Sequence, residues 1–513
     1  MVVATSLPYL ALWLDADRFS GEPGSVYTWI LPPYPEDGLA YLAWIKQAAQ
    51  GALLFHVKFT QLAHGAVLFH PVFLLSGWLA RLGGLDAGVA LFLVRALAVA
   101  GFLGMLHRFG RLFPLSQAEH RLFLALAVCS SGLGFLVGDP TRSADRSMPE
   151  FNTLWSLTWN PIFAVALALV LGIFEIVARA DERRPGRAYL AAGALTGVLA
   201  FVHTYDVVPA VAVVLLYSLR RRGKGSLAPL ALYAAAAAPA TLLQAWIAKA
   251  HPILAAHGAK AEMLSPGPLA YVLGLGIPGL LAVVGLFRAR REGRLGGLDL
   301  AWLWIATAFA LAYAPVWFQR KVVMGVHVPV CLLAAVGLWA LVGKVAAKWR
   351  VALAAAVVLA TTPTHLVNLR DMAARVTQDP SAYYRAPAVD RALRWLDREA
   401  GPDAVVLAHY TTARSIPGTS GQFVTQGHWA QSVDLQEHRE WIRRVFDPAS
   451  PLTPEDRRRA MQASRVDYVF VDPAMRRDWL PDGVPDWLTR SGDVVFSDAS
   501  VAVLRVRHAS GDR

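Results

Sequence analysis

HGAVLFHPVFLLSGWLARL, residues 64–82, contains no acid and a single arginine, and it is long enough to cross the hydrocarbon of a bilayer. Its reading decides the fold. Counted as a span, it reverses the orientation of every later segment. Laid at the membrane surface as an amphipathic helix, it leaves one topology that agrees with the charges elsewhere. Residues 15–86 then form a long external loop with two interfacial helices, near 37–50 and 70–82. In the first of these, Leu39, Leu42 and Ile45 share one side, with Tyr41 and Trp44 suited to an interface.

Outward from this loop, the apolar residues come in blocks near 1–14, 87–106, 121–138, 161–179, 188–203, 206–219, 227–248, 268–287, 300–317, 330–345 and 351–368. These are about eleven candidate transmembrane helices, since only a helix satisfies its own backbone in lipid. Five short loops carry 18 Lys and Arg: Arg108/Arg111/Arg121, Arg179/Arg183/Arg184/Arg187, Arg220–Arg222 with Lys224, Arg288/Arg290/Arg291/Arg294, and Lys344/Lys348/Arg350. The alternate loops carry six, namely Arg142, Arg146, Lys249, Lys260, Arg320 and Lys321. The first set is therefore cytoplasmic by the positive-inside rule, and the C-terminal domain is extracytoplasmic, on an inner-membrane protein. The net charge of +12 is explained by this asymmetry and by anionic lipid, so the basic balance does not indicate nucleic acid. Cys129 and Cys331 both lie in apolar blocks and imply neither a disulfide framework nor a metal site. Met1–Leu14 is apolar but short for a full span, without a cleavable-signal pattern.

The organisation is thus a membrane domain over 1–369 and an α/β domain over 370–513. In the latter, 389–399, 434–446 and 454–463 read as helices, and 404–408, 467–471, 494–497 and 501–506 as strands. Tyr410–Gln426, rich in Thr, Ser and Gly, reads as a loop over the first strand, either gripping an acceptor or merely connecting, with His428 and Trp429 beside it.

Particular segments carry a resemblance. Asp37-Gly38-Leu39-Ala40-Tyr41-Leu42, His70-Pro71 followed by Leu74–Trp78, and Val94-Arg95-Ala96-Leu97 follow in the order seen in GT-C membrane glycosyltransferases. YLAWIKQAAQG, SSGLGFLVG, MPEFNTLWSLTWNP, VHTYDVV, QRKVVMG and Gly427-His428-Trp429 are similar to segments of a group of bacterial polytopic GT-C-like proteins. The chain departs from the superfamily at Gly38, where many relatives carry a second acid, and in its His-Pro segment, which replaces Lys-Pro-Pro. It has no peptide-binding WWD-type motif, which argues against an oligosaccharyltransferase. The resemblance implies a glycosyltransferase that takes a sugar from a polyprenyl-phosphate carrier and passes it to an extracytoplasmic lipid, glycan or protein. It also admits a divalent cation, Mg or Mn, held by Asp37 and Glu150.

Such a transfer needs a base for the acceptor hydroxyl, positive charge on the departing phosphate and a site that excludes water. Asp37 is the first candidate base, with a solvated helix cap as the plain alternative. Asp15 and Asp17 follow the first block, as site-lining or interfacial charges. Glu150 is the second acid, flanked by Trp155 and Trp159, which read as an aromatic belt in preference to sugar platforms. His203, Tyr205 and Asp206 interrupt an apolar stretch, where polar groups are costly unless they face a cavity or partners. Arg320 and Lys321 oppose the positive-inside trend and suit a lipid phosphate. His70 and His327 are lone histidines that assist the site or serve structure. Two rivals remain: a transporter or flippase, which predicts repeats and an ionisable path, and a non-catalytic assembly factor with a disabled site.

Overall fold

The computed structural model describes residues 1–260, 262–498 and 500–508. Its chain divides into two compact units, one of Met1–Leu7, Val94–Ala248 and Ala261–Asp371, the other of Pro8–Leu93, Lys249–Lys260 and Met372–Arg513.

The first unit is helical. Over the described residues of the whole chain, six helical stretches are long and apolar enough to cross a membrane, and Val2–Leu14, Gly186–Val202 and Leu295–Leu311 are shorter apolar ones. Leu242, Leu269, Leu280, Phe287 and Leu359 stay exposed on these helices, as lipid-facing side chains would. The His327–Val342 helix is instead buried nearly throughout. It packs along Pro268–Arg291, and glycine sets the approach: a Cβ on Gly285 would stand 1.9 Å from the Leu333 carbonyl oxygen, and one on Gly337 2.0 Å from that of Leu281. Without a hydrophobic drive between helices in lipid, such close backbone packing is what holds the pair.

Besides the block at 351–368, whose helix stops at Ala360 before another starts at Pro363, two blocks differ from their expected extents. The block at 121–138 is a helix only over Gln117–Cys129, after which the chain turns. Gly132 lies against the carbonyls of Leu273 and Gly274, where a Cβ would come within 2.3 Å, so the segment is held against a neighbour's backbone. That neighbour is itself broken. Gly276, with φ 47° and ψ −129°, interrupts the Pro268–Arg291 helix two residues before Pro278, which supplies no N–H. The Leu273 carbonyl then accepts from the Leu133 N–H at 2.8 Å, and Asp145 Oδ2 accepts from the Gly132 N–H at 2.9 Å. The second block, 300–317, ends its helix at Leu311.

The second unit is α/β. Its five-stranded sheet runs in the order Phe423–Val424, Val405–Ala408, Tyr468–Val471, Ala502–Val506 and Gly492–Ser497. The first three strands are parallel and the last two pair antiparallel. Side-chain alternation divides the core: Val406, Ala408, Phe470 and Val503 pack toward the Pro387–Glu399 helix. Leu407, Val469, Val471 and Leu504 pack toward Leu435–Phe446 and Pro454–Ala463. The expected helices at 37–50 and 70–82 are Pro35–Ala49 and Pro71–Gly83. They pack on each other so closely that a Cβ on Gly77 would stand 2.3 Å from the Ala48 Cβ. Leu39, Leu42 and Ile45 are buried in this unit, and Tyr41 stacks on Phe73. The apolar face therefore meets protein, where the sequence pattern alone reads as a lipid-facing surface. The 410–426 segment is structured, with turns of helix at Tyr410–Ala413 and Ile416–Thr419 and the strand Phe423–Val424. A Cβ on Gly418 would stand 2.8 Å from the Leu42 Cβ, so this segment lies on the Pro35–Ala49 helix.

Candidate functional site

In the first unit, three single turns of 3-10 helix pack together: Pro149–Phe151, Thr204–Asp206 and Gln319–Val323. Each interrupts or precedes an apolar helix, so each delivers polar side chains at a helix end. Together they gather Glu150, His203, Tyr205, Asp206, Arg320 and Lys321. Glu150 is 1% exposed and takes the Lys321 ammonium on Oε1, while its Oε2 has no hydrogen-bond partner among the described residues. Burial favours the neutral acid, but the charges of Lys321 and Arg320 outweigh it and hold the carboxyl below the usual range. Lys321 Nζ also lies 5.6 Å from the Phe163 ring centre, and the His203 ring packs on the same ring. His203 Nδ1 and Asp206 Oδ2 are 3.0 Å apart but out of line for a hydrogen bond. Tyr205 packs against Trp317 and Phe318.

Other expected contributors have structural partners. His327 Nδ1 contacts Thr153 Oγ1 at 2.9 Å and Nε2 contacts Ser130 Oγ at 3.2 Å. Arg95 is buried and donates to Leu157 O and Ser6 Oγ. Trp155 and Trp159 are each 8% exposed, so they are core rings and form no aromatic belt.

Asp37 and His70 belong to the second unit. His70 precedes the Pro71–Gly83 helix and stacks on Phe73, with centroids 3.9 Å apart. Asp17 accepts the Gly24 N–H, and Asp15 pairs with Arg18 on the surface. Asp37 is not a cap. It lies in the first turn of Pro35–Ala49, where Tyr34 is the N-cap and Pro35 opens the helix. Its carboxylate is partly exposed, and Oδ1 lies 3.7 Å from Nε2 of the fully buried His428. The His428 ring neighbours His257 at 5.9 Å and Phe59 at 5.6 Å. Sequence reading names His428 without a role and passes over His257, which sits on a short helix, Pro252–Lys260, outside the apolar blocks.

Burial, then the nearby His428, lowers the His257 pKa from 6.5 to about 4, with Asp37 opposing and Lys260 adding to the shift. The unfolded chain therefore takes up a proton near 6.5 that the folded unit refuses until about 4. Stability is full above the upper value and falls as pH drops between the two. The unfolding midpoint, measured from pH 7.5 to about 4.5, is expected to fall less in His257→Phe than in the native chain.

The implied divalent cation does not fit at Glu150, where two cationic side chains already face the carboxylate. Among the described residues, no group of three or more His, Cys, Asp or Glu could hold a metal ion.

The fold is similar to those of solved membrane glycosyltransferases. It is similar to apo ArnT from Cupriavidus metallidurans, with a TM-score of 0.51 at 13% identity over 97% of this chain and 98% of that one. It is also similar to the oligosaccharyltransferase AglB from Archaeoglobus fulgidus, solved with an inhibitory peptide and a dolichol-phosphate. There the TM-score is 0.50 at 12% identity, over 91% of this chain and 70% of that one. The arabinofuranosyltransferase AftD from Mycobacteria gives 0.50 at 15% identity over the whole of this chain, which spans 40% of AftD. No protein-family model matches the chain, and no curated protein matches it. At these identities the likeness concerns the fold.

Proposed function

We propose that the protein is a glycosyltransferase that moves a hexose or pentose from a polyprenyl-phosphate carrier to a hydroxyl on an extracytoplasmic lipid, glycan or protein. The observation that carries this reading is the buried meeting of Glu150, Lys321 and Arg320 at helix ends, in a fold shared with an enzyme solved with a dolichol-phosphate. A cationic group at that depth has a purpose if a lipid phosphate comes to it.

In this reading Asp37 takes the proton of the acceptor hydroxyl. The acceptor oxygen bonds to the anomeric carbon, and the bond from that carbon to the phosphate oxygen breaks. Its electron pair leaves with the polyprenyl phosphate, whose growing charge Arg320 meets with a planar fork and Lys321 with a point charge. Lys321 is already engaged by Glu150, which fixes its position, and Glu150 Oε2 remains to orient a hydroxyl. His203, Tyr205 and Asp206 line the same cluster. His70, stacked on Phe73, contributes by shaping its helix start. In this reading the apolar blocks of the sequence make about eleven crossings of the inner membrane, and the loop-charge asymmetry of the sequence puts the C-terminal α/β part outside the cytoplasm.

The phosphate role is tested by binding. Purified protein in lipid nanodiscs is expected to bind polyprenyl phosphate, and Arg320→Gln to weaken that binding by about tenfold or more, since a charge-assisted hydrogen bond is worth about 1.5–3 kcal/mol. Equal affinity in the variant would remove Arg320 from the phosphate site.

A further inference from the structure

The tautomer of His428 is set by its surroundings. Its Nδ1 accepts two backbone N–H groups, from Ala430 and Gln431, each at 3.1 Å. A nitrogen that accepts hydrogen bonds carries no proton, so in the neutral ring the proton sits on Nε2. The loop holding this arrangement is closed on itself. The His428 N–H donates to Ser432 Oγ, the Ser432 N–H returns to the His428 carbonyl, and Lys260 Nζ reaches the Ser432 carbonyl at 3.4 Å. Before it, Gly427 has φ 149°, and a Cβ there would stand 3.1 Å from the Ala413 carbonyl group. The ring is wedged between Phe59 and His257, with the indole of Trp429 stacked beside it. Nε2 is therefore a buried donor with no hydrogen-bond partner among the described residues, and the Asp37 carboxylate is 3.7 Å away.

A buried donor without an acceptor is costly, and a small movement of Asp37 would satisfy it. We infer that His428 is a positioning residue for Asp37: its Nε2–H fixes which carboxylate oxygen is left to meet the acceptor hydroxyl. The inference rests on the reading of Asp37 as the base. It assigns a task to the Gly427-His428-Trp429 segment, which lies nearly four hundred residues after Asp37 in the chain.

Two amide replacements separate the two ring nitrogens. In His428→Asn the amide oxygen stands near Nδ1 and can still accept the two backbone N–H groups, but nothing reaches Asp37. In His428→Gln the amide nitrogen reaches the Nε2 position and can donate to Asp37. Turnover of polyprenyl-phosphate sugars by the full chain in nanodiscs is expected to fall about tenfold to a hundredfold in kcat for His428→Asn, with KM changed less than about threefold. His428→Gln should restore most of it. Equal loss in both, or loss confined to KM, would overturn the positioning role.

A second readout does not depend on turnover. Protein labelled with nitrogen-15 histidine, with the His428 signals assigned by their loss in His428→Asn, should show a protonated Nε2 and a bare Nδ1. Asp37→Asn should then shift the Nε2 signal. A proton on Nδ1, or an Nε2 signal indifferent to Asp37, would overturn this inference alone. Absence of turnover in the native chain with every donor would overturn the parent reading, and the catalytic consequence of His428 with it.

Discussion

Asp37→Asn is expected to lower turnover of polyprenyl-phosphate sugars by about 10²–10⁴-fold, the range a positioned general base supplies. The fold should survive. Asp37 is partly exposed and caps nothing, and the helix it sits on opens with Pro35 at its first position. Its carboxylate does favour the positive end of the helix, but that is worth only about 0.3–1 kcal/mol. Asparagine keeps the shape and leaves an oxygen for the His428 Nε2–H. What it lacks is basicity, so kcat should fall while donor binding, which we propose rests on Arg320 and Lys321, stays within about threefold. Retention of full kcat would move the base elsewhere.

The second large effect is on stability. Lys321→Met removes the ammonium that Glu150 holds and leaves a carboxylate that is 1% exposed without that partner. Breaking a buried ion pair from one side costs about 3–5 kcal/mol, because the remaining charge has lost its solvent as well as its counter-ion. The thermal unfolding midpoint of the purified protein should drop accordingly. Glu150→Gln alongside Lys321→Met should recover much of the loss, since the double variant leaves no buried carboxylate without its ammonium. If the single variant unfolds like the native chain, Glu150 is neutral in the fold and the cluster is not an ion pair.

The unit of apolar helices was legible because lipid imposes a coarse rule: twenty apolar residues, basic residues at alternate ends. That rule places most of the helices to within a few residues, as at 161–179 against the observed Pro161–Ala178. It fails where the chain departs from a continuous helix. Ser130–Gly134 reads as apolar and glycine-rich, yet it is a turn held by the carbonyls of a helix that Gly276 and Pro278 break. Hydropathy cannot register a break that is satisfied by a distant segment. The same limit applies to burial. The amphipathic pattern of 37–50 shows that one face is apolar, but the Ile416–Thr419 turn and the Pro71–Gly83 helix that cover it are separated from it in sequence.

The candidate site divides along similar lines. Glu150, Arg320, Lys321 and the His203–Asp206 turn stood out because ionisable groups among apolar blocks are rare, and the three turns that carry them do pack together. Trp155 and Trp159 misled for the converse reason, since a tryptophan near a span end is as apolar in a core as at an interface. His428 was visible as a residue but not as a partner of Asp37. Its tautomer depends on two backbone amides in its own loop, and its orientation depends on Phe59 and His257, which no spacing rule connects.

The most direct measurement follows a radiolabelled sugar on polyprenyl phosphate, presented with membrane-extract acceptors to the purified full chain in lipid, with Asp37→Asn alongside. Loss of label from the carrier and its appearance on an acceptor, with little of either in the variant, is the predicted result. A native chain that leaves every hexose and pentose donor intact, under conditions where it binds polyprenyl phosphate, would contradict the assignment as a glycosyltransferase.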